Sequence, residues 1–408
     1  MKQFSILKFI LLLILLPLLS SCASVPDVPP PDPGMDAYIA DKPQILKPAF
    51  SRLRSEGRRN EVLNNMRLGL AAYRAGFKDI ARSALDRALQ GIETVYADSE
   101  SAKQARSLWY EEGMKDFKGE PYERSMAYYY RGLMYIEDGD LENARAAFKS
   151  GIIQDSFAEE EQFRCDFALL IMLEAMVSQR LGNVEIAREV YKELNKFRPD
   201  FSAPSDANVL ILIESGYSPR KLADGPGHAE LKYRRGRNFT ENRVQLSLDG
   251  SSYKAAYPME DIDFQASSRG GRQIDKILKD KVVFREKNLA MGSALSEAAE
   301  AAIILAPLAN IGSANAMGSV QAVAGGLAVI GALQQYIAIN AKPQADTRYW
   351  DNLPDMVHVA LIKTTPGTHS ATFRFTDEKY LQVPELAEKK VTFQAYDNKF
   401  TLVVVKSR

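Results

Sequence analysis

The spacing of hydrophobic and polar positions changes along the chain, and each change marks a different kind of element. Over residues 51–200, most plainly between Asn60 and Pro199, apolar residues return at three and four and prolines become rare, which predicts helices with one buried face. After Phe201 the sequence is punctuated by Gly, Pro and Ser, so a boundary is expected between residues 200 and 225. Residues 201–290 read as a mixed region with a β hairpin: Val244, Leu246 and Leu248 alternate up to Asp249-Gly250, and Tyr253 and Tyr257 lie on the returning arm. Residues 346–408 read as β-rich. Val357, Val359 and Leu361 alternate, Pro366-Gly367 turns the chain, and Ala371, Phe373 and Phe375 answer them; Val391, Phe393 and Ala395 then lead through Asp397-Asn398 into Thr401–Lys406. Four such strands suffice for a small sheet with one covered face. The expected class is α+β: an N-terminal helical array, then a smaller mixed region with antiparallel β hairpins and an Ala/Gly-rich helical segment over 291–345.

Within the helical region the unit SMAYYYRGLMYIEDGDLENARAAFKSGIIQDS places Tyr128, Gly132, Tyr135, Gly139, Leu141, Ala144 and Phe148 at the spacings of a tetratricopeptide (TPR) repeat. The logic is steric. Gly132 and Ala144 let two antiparallel helices approach, Gly139 occupies the turn, and Tyr135 and Phe148 fill the seam with neighbouring helices. Arg131 stands where Leu is usual and Gly151 where Ala is usual. Two fainter copies share the spacing: Leu68, Gly69, Gly76, Ala81, Leu85 and Ala88 in one, Ala175, Gly182, Ala187, Tyr191, Leu194 and Pro199 in the other. Three units predict a short TPR-like α-solenoid, least regular between the first and second, where a further helix is expected around Trp109 and Tyr110. Such a solenoid offers a concave surface to a protein, or serves only as a packing scaffold.

The start of the chain carries an address. Residues 1–21 set Lys2 and Lys8 ahead of an uncharged stretch from Phe9 to Leu19, the layout of a secretory signal peptide and too short for a lasting span. Leu19-Ser20-Ser21-Cys22 resembles the bacterial lipobox, which implies cleavage before Cys22 and attachment there of acyl chains such as palmitate. Two or three such chains, at about 0.8 kcal/mol per buried methylene, anchor a protein stably. Ala23 after the cysteine, rather than Asp, resembles the default sorting to the outer membrane's periplasmic leaflet. Residues 22–50, with Pro26, Pro29, Pro30, Pro31, Pro33, Pro43 and Pro48, read as a non-helical tether of up to about 3 Å per residue.

Composition narrows the chemistry. Of 408 residues 46% are hydrophobic, and 52 Lys plus Arg balance 52 Asp plus Glu, so no net field draws nucleic acid. Loss of the signal removes two lysines and leaves a mature charge of −2 (50 against 52). Arg234, Arg235 and Arg237, and the pair Arg269 and Arg272 about a double glycine, read as solvated surface. Three His and two Cys are too few for a zinc set or a disulfide framework. Cys165 lies on an apolar helical face and reads as an inert core thiol. His358 and His369 have no carboxylate or Cys at ligand spacing and read as surface or edge residues. No phosphate loop, dinucleotide fingerprint, nucleophile elbow, metalloprotease helix or calcium loop is present, so no cofactor, metal ligand or catalytic residue is assigned.

From Ala301 to Ala341 run 41 residues without a charged side chain, long enough to include a membrane helix. Gly325, Gly326, Ala328 and Gly331 suit close packing in lipid and in a buried hairpin alike. Pro307, Asn310, Ser313, Asn315, Gln321, Gln334 and Gln335 interrupt the run and favour burial against protein.

Three stretches carry a more specific likeness. Phe117-Lys118-Gly119-Glu120-Pro121-Tyr122-Glu123-Arg124, Gly216-Tyr217-Ser218-Pro219-Arg220-Lys221 and Ala345-Asp346-Thr347-Arg348-Tyr349-Trp350-Asp351-Asn352-Leu353-Pro354 resemble elements of a sparsely characterised family of bacterial TPR-containing outer-membrane lipoproteins. The resemblance implies an envelope location and a helical array followed by a smaller region, and supplies no catalytic residue. The function expected is a scaffold or adaptor that binds envelope proteins through its helices and the membrane through the lipid on Cys22. A structural subunit that self-associates through residues 301–341, and an enzyme acting on peptidoglycan, are the alternatives.

Overall fold

The computed structural model describes residues 32–93, 116–155, 166–268 except 205 and 225–229, and 346–408 except 398. The signal segment, Cys22, Trp109 and Tyr110, Cys165, Arg269 with Arg272, and the uncharged run 301–341 lie outside the described residues.

The chain is a mixed α+β fold whose helices come first. A short helix α1 (Met35–Ile39) precedes α2 (Lys47–Ser55). The expected non-helical tether therefore does not hold from Met35 onward: Pro48 is the second residue of α2, where no intrahelical N–H is required, and Leu46 before it is buried. Among the described residues three antiparallel helix pairs follow: α3 (Glu61–Arg74) with α4 (Lys78–Glu93), α5 (Pro121–Asp138) with α6 (Leu141–Asp155), and α7 (Ala168–Arg180) with α8 (Val184–Phe197). Each pair turns on a glycine in the left-handed region, Gly76 at φ 80°, Gly139 at 79° and Gly182 at 78°. There the residue after each glycine donates to the carbonyl five residues back: Phe77 N to Ala72 O, Asp140 N to Tyr135 O and Asn183 N to Ser178 O. The pair is the unit observed; a tetratricopeptide solenoid as such is not identified.

The remaining elements are β1 (Val209–Ser215), β2 (Arg220–Asp224), β3 (Glu230–Arg234), β4 (Arg243–Leu248), β5 (Lys254–Ala255), β6 (Tyr257–Asp261), a short α9 (Ile262–Ser267), β7 (Met356–Ile362), β8 (Gly367–Thr376), β9 (Lys389–Ala395) and β10 (Thr401–Lys406). They form a four-stranded sheet in the order β10-β1-β7-β6, a second in the order β5-β4-β8-β9, and the ribbon β2-β3. In the first sheet β1 is parallel to β10 and antiparallel to β7; the second is antiparallel throughout.

The first sheet is the middle layer. Leu210 and Leu212 of β1 join the core shared with the helices, while Val209, Ile211 and Ile213 join a second core with Phe373, Phe375 and Val244 of the other sheet. Covered on both faces, β1 is apolar without alternation over Val209–Ile213, the pattern of an interior strand. Two expectations are corrected here. The C-terminal strands do not form one sheet: β7 and β10 belong to the middle layer, β8 and β9 to the outer one, and Pro366-Gly367 carries the chain between layers instead of closing a β7–β8 hairpin. The turn at Asp249 (φ 50°) and Gly250 (φ 78°) is present, but its returning arm is short. β5 pairs with β4 only through Ala255 and Lys254, and Tyr257 already lies in the other sheet.

Candidate functional site

The residues singled out by repeat spacing converge as pairs. A Cβ on Gly132 would stand 2.3 Å from the ring of Phe148, and one on Gly69 would stand 2.7 Å from Leu85 Cγ. Each glycine thus lets its helix partner close in. Ala81, Ala144 and Ala187 are buried at corresponding places in α4, α6 and α8. In the third pair Tyr191 is half-buried, its phenol pushed up to about 12 by burial. Gly76, Gly139 and Gly182 make the turns.

Two faces of the array differ sharply. On the outward side a groove of about 290 Å³ runs across α5 between α4 and α6, lined by Asp86, Gln90, Glu93, Tyr128, Tyr135 and Ser150 among others. Arg131, which departs from the repeat pattern, belongs here: its Nε donates to Asp86 Oδ1 at 2.7 Å, and its guanidinium lies 3.7 Å from the Tyr135 ring centroid, a cation–π contact that Leu could not make. Tyr128 donates to Glu93 Oε1 at 3.0 Å. Two carboxylates against one guanidinium give the groove an acidic bias.

The inward side, where a solenoid would present its concave surface, is filled by the chain's own middle sheet. Arg74 of α3 and Tyr130 of α5 both reach Glu214 of β1, each at 2.7 Å. Leu169 N at the start of α7 donates to Glu260 Oε2 of β6 at 3.1 Å, so a sheet carboxyl meets an open helix N-terminus. The Glu260 carboxyl is pushed up to about 8 by burial.

The described parts of the three stretches singled out in the sequence, 117–124, 216–221 and 346–354, meet at one edge of this interface. Glu120 caps α5, and Glu123 closes the capping box by accepting from Glu120 N at 2.6 Å. The other oxygen of Glu123 accepts from Trp350 N at 2.6 Å, Lys221 pairs with Glu120, and Ser218 Oγ donates to Trp350 O at 2.8 Å. Residues from 117–124, 216–221 and 346–354 therefore form one buried joint between the helices and the β layers. Burial pushes Glu123 up to about 7. Asp355 nearby, pushed up to about 7 by burial, accepts from Gly236 N at 2.7 Å and from Arg235 at 2.6 Å. These carboxyls have acid–base range, yet each is enclosed and engaged with protein donors; their work is to join layers.

Both histidines differ from expectation. His358 is fully buried, bonded through Nε2 to Asn242 O at 3.0 Å and pushed down to about 4 by burial. His369 does have a carboxylate partner, Asp249 from the distant turn, at 2.6 Å from Nδ1, while Nε2 lies 2.8 Å from Thr365 O. These acceptors, the Asp249 carboxylate first and the Thr365 carbonyl second, raise its pKa above the usual histidine value. Among the described residues no cluster of His, Cys, Asp or Glu is arranged to hold a metal ion, and no helix is long and apolar enough to cross a membrane.

Spacing within the helices located the pair contacts but missed Arg74, Tyr130, Glu214 and Glu260. One signal was present: Glu214 ends an apolar strand, and a carboxylate placed there requires a partner. Comparison with known proteins returns no matching family model, curated protein or solved structure.

Proposed function

We propose that the protein is an outer-membrane lipoprotein, facing the periplasm and held by acyl chains on Cys22, whose TPR-like helix pairs act as a scaffold or adaptor for another envelope protein. The single observation that carries the docking role is the contrast between the two faces of the array. The inward face is occupied by the β layer, whereas the outward groove across α5 is open, acidic through Asp86 and Glu93, and bordered by tyrosines. Aromatic side chains beside charges that keep an exposed edge suit protein recognition. The partner this groove fits is a protein segment bearing Lys or Arg.

A photo-crosslinking residue placed at Gln90 or Ser150 in intact cells, followed by mass spectrometry, tests the groove. One envelope protein captured from both positions, and not from Arg188 on α8, is the expected result. No adduct under conditions that preserve known envelope complexes counts against the scaffold. The anchor is tested separately: Cys22→Ala is expected to abolish labelling by palmitate and to release the protein from the membrane fraction.

A further inference from the structure

A recess that shares no residue with the helical groove lies at the open edge of the two β layers. Its volume is about 630 Å³, within the range of roughly 300–1,000 Å³ that suits a specific ligand. The recess exists because one strand changes sheets. β6 is the edge of the middle layer and is antiparallel to β7, but its register stops at Tyr257 opposite Val359. Had it continued backward, residues 254–256 would lie beside Ala360, Leu361 and Ile362. Instead Ala256 N donates to Val244 O at 2.9 Å, and Ala255 and Lys254 pair with β4 in the outer layer. Among the described residues no strand pairs with Ala360–Ile362 on that side.

The walls have the arrangement that an added strand needs. Leu361 belongs to the helix-side core, and the Phe201 and Tyr257 rings, 5.0 Å apart, stand on that side. Ala360 and Ile362 belong to the inter-sheet core, with Leu246 and Leu248 opposite. All of these residues line the same recess. A chain laid along β7 would send successive side chains to the two faces in turn, and each face offers an apolar slot. Lys254 and Lys363 stand exposed on the rim. Among the described residues neither has an ion-pair partner, and Asp200 is the one acid that lines the recess.

We infer that this edge is a second docking site, which binds an extended peptide segment of a partner protein by strand addition to β7, with apolar residues in alternation and acidic residues that meet Lys254 and Lys363. Main-chain pairing supplies affinity in this mode and the alternate slots supply selectivity. The site shares no residue with the helical groove, so either can fail without the other.

The test uses the full chain and a fluorescent seven-residue peptide that alternates valine and threonine between terminal aspartates, followed by anisotropy. Saturable binding is expected, weakened at least about ten-fold when the aspartates become lysines or the backbone amides are N-methylated. Lys254→Glu with Lys363→Glu, both exposed, should invert the preference between acidic and basic peptides while leaving the melting temperature unchanged. Ala255→Trp should block the recess, and capture at the helical groove should persist. Absence of saturable binding overturns the inference, as does equal binding of the N-methylated peptide. Binding of a fatty carboxylate with none of the peptide assigns the recess to a lipid and overturns it as well.

Discussion

A methyl group on Gly132 would have to share space with a fully buried ring, since its Cβ would stand 2.3 Å from Phe148 Cε1. Gly132→Ala should therefore cost about 1–3 kcal/mol through overpacking, and Phe148→Leu should recover part of it. Gly139 has open space around it but sits at φ 79°, so Gly139→Ala should cost about 1–2 kcal/mol through the left-handed backbone alone, with no recovery from Phe148→Leu. Urea unfolding of the three single and two double variants checks both statements. These glycines were legible because their chemistry is local: a tight turn and a close helix pair need a missing side chain at a fixed offset. The histidines were not, because His369 finds its acid, Asp249, across a β ladder and His358 is buried by a layer whose position alternation does not reveal.

Elements were legible where a period or a cap defines them. The three helix turns each show their glycine, whereas the capping box of Glu120 and Glu123 that starts α5 is not legible, because Glu is not a usual N-cap residue. Pairing of strands was harder. Alternation along β7 and β8 marks a covered face but names no neighbour, so two strands adjacent in sequence read as a hairpin although they lie in different layers. β1 shows no alternation because both its faces are covered, and a short apolar run has no period to read. What fixes the helices onto β1 is Glu214, bound by Arg74 and Tyr130. Arg74→Met leaves that carboxylate buried against the Tyr130 phenol alone and should cost about 3–5 kcal/mol. Joint replacement with Glu214→Leu should cost less than Arg74→Met by itself, a coupling that a double-mutant cycle measures.

At the scale of the whole molecule, three layers are held together partly by enclosed ionisable groups, and stability should record them. Glu123 and Asp355 at about 7 and Glu260 at about 8 lie above the unfolded carboxyl values. Between about pH 5 and pH 8 the folded form thus holds protons that the unfolded form has released, and stability falls as pH rises. His358, at about 4 when folded, acts in the opposite sense and is destabilising as pH falls below its unfolded value of about 6.5. Thermal unfolding from pH 5 to 8 should show a decline with rising pH that Glu260→Gln makes shallower; His358→Gln should make it steeper below pH 6.5. A slope that Glu260→Gln leaves unchanged would show that burial does not hold a proton on this carboxyl. The layer order itself could not be read from the sequence, because an amphipathic helix declares that one face is covered and not by what. The pairing of β1 with β10 also sets a timetable. Val209 lies beside Thr401, so a chain that emerges N-terminus first completes its helices long before it can finish the sheet on which they rest. Until Thr401–Lys406 arrives, β1 is an open edge and the helices' inner faces lack part of their cover. Closure over so long a separation is slow and exposes sticky intermediates, which makes the last strand the point at which a holding chaperone would have to let go.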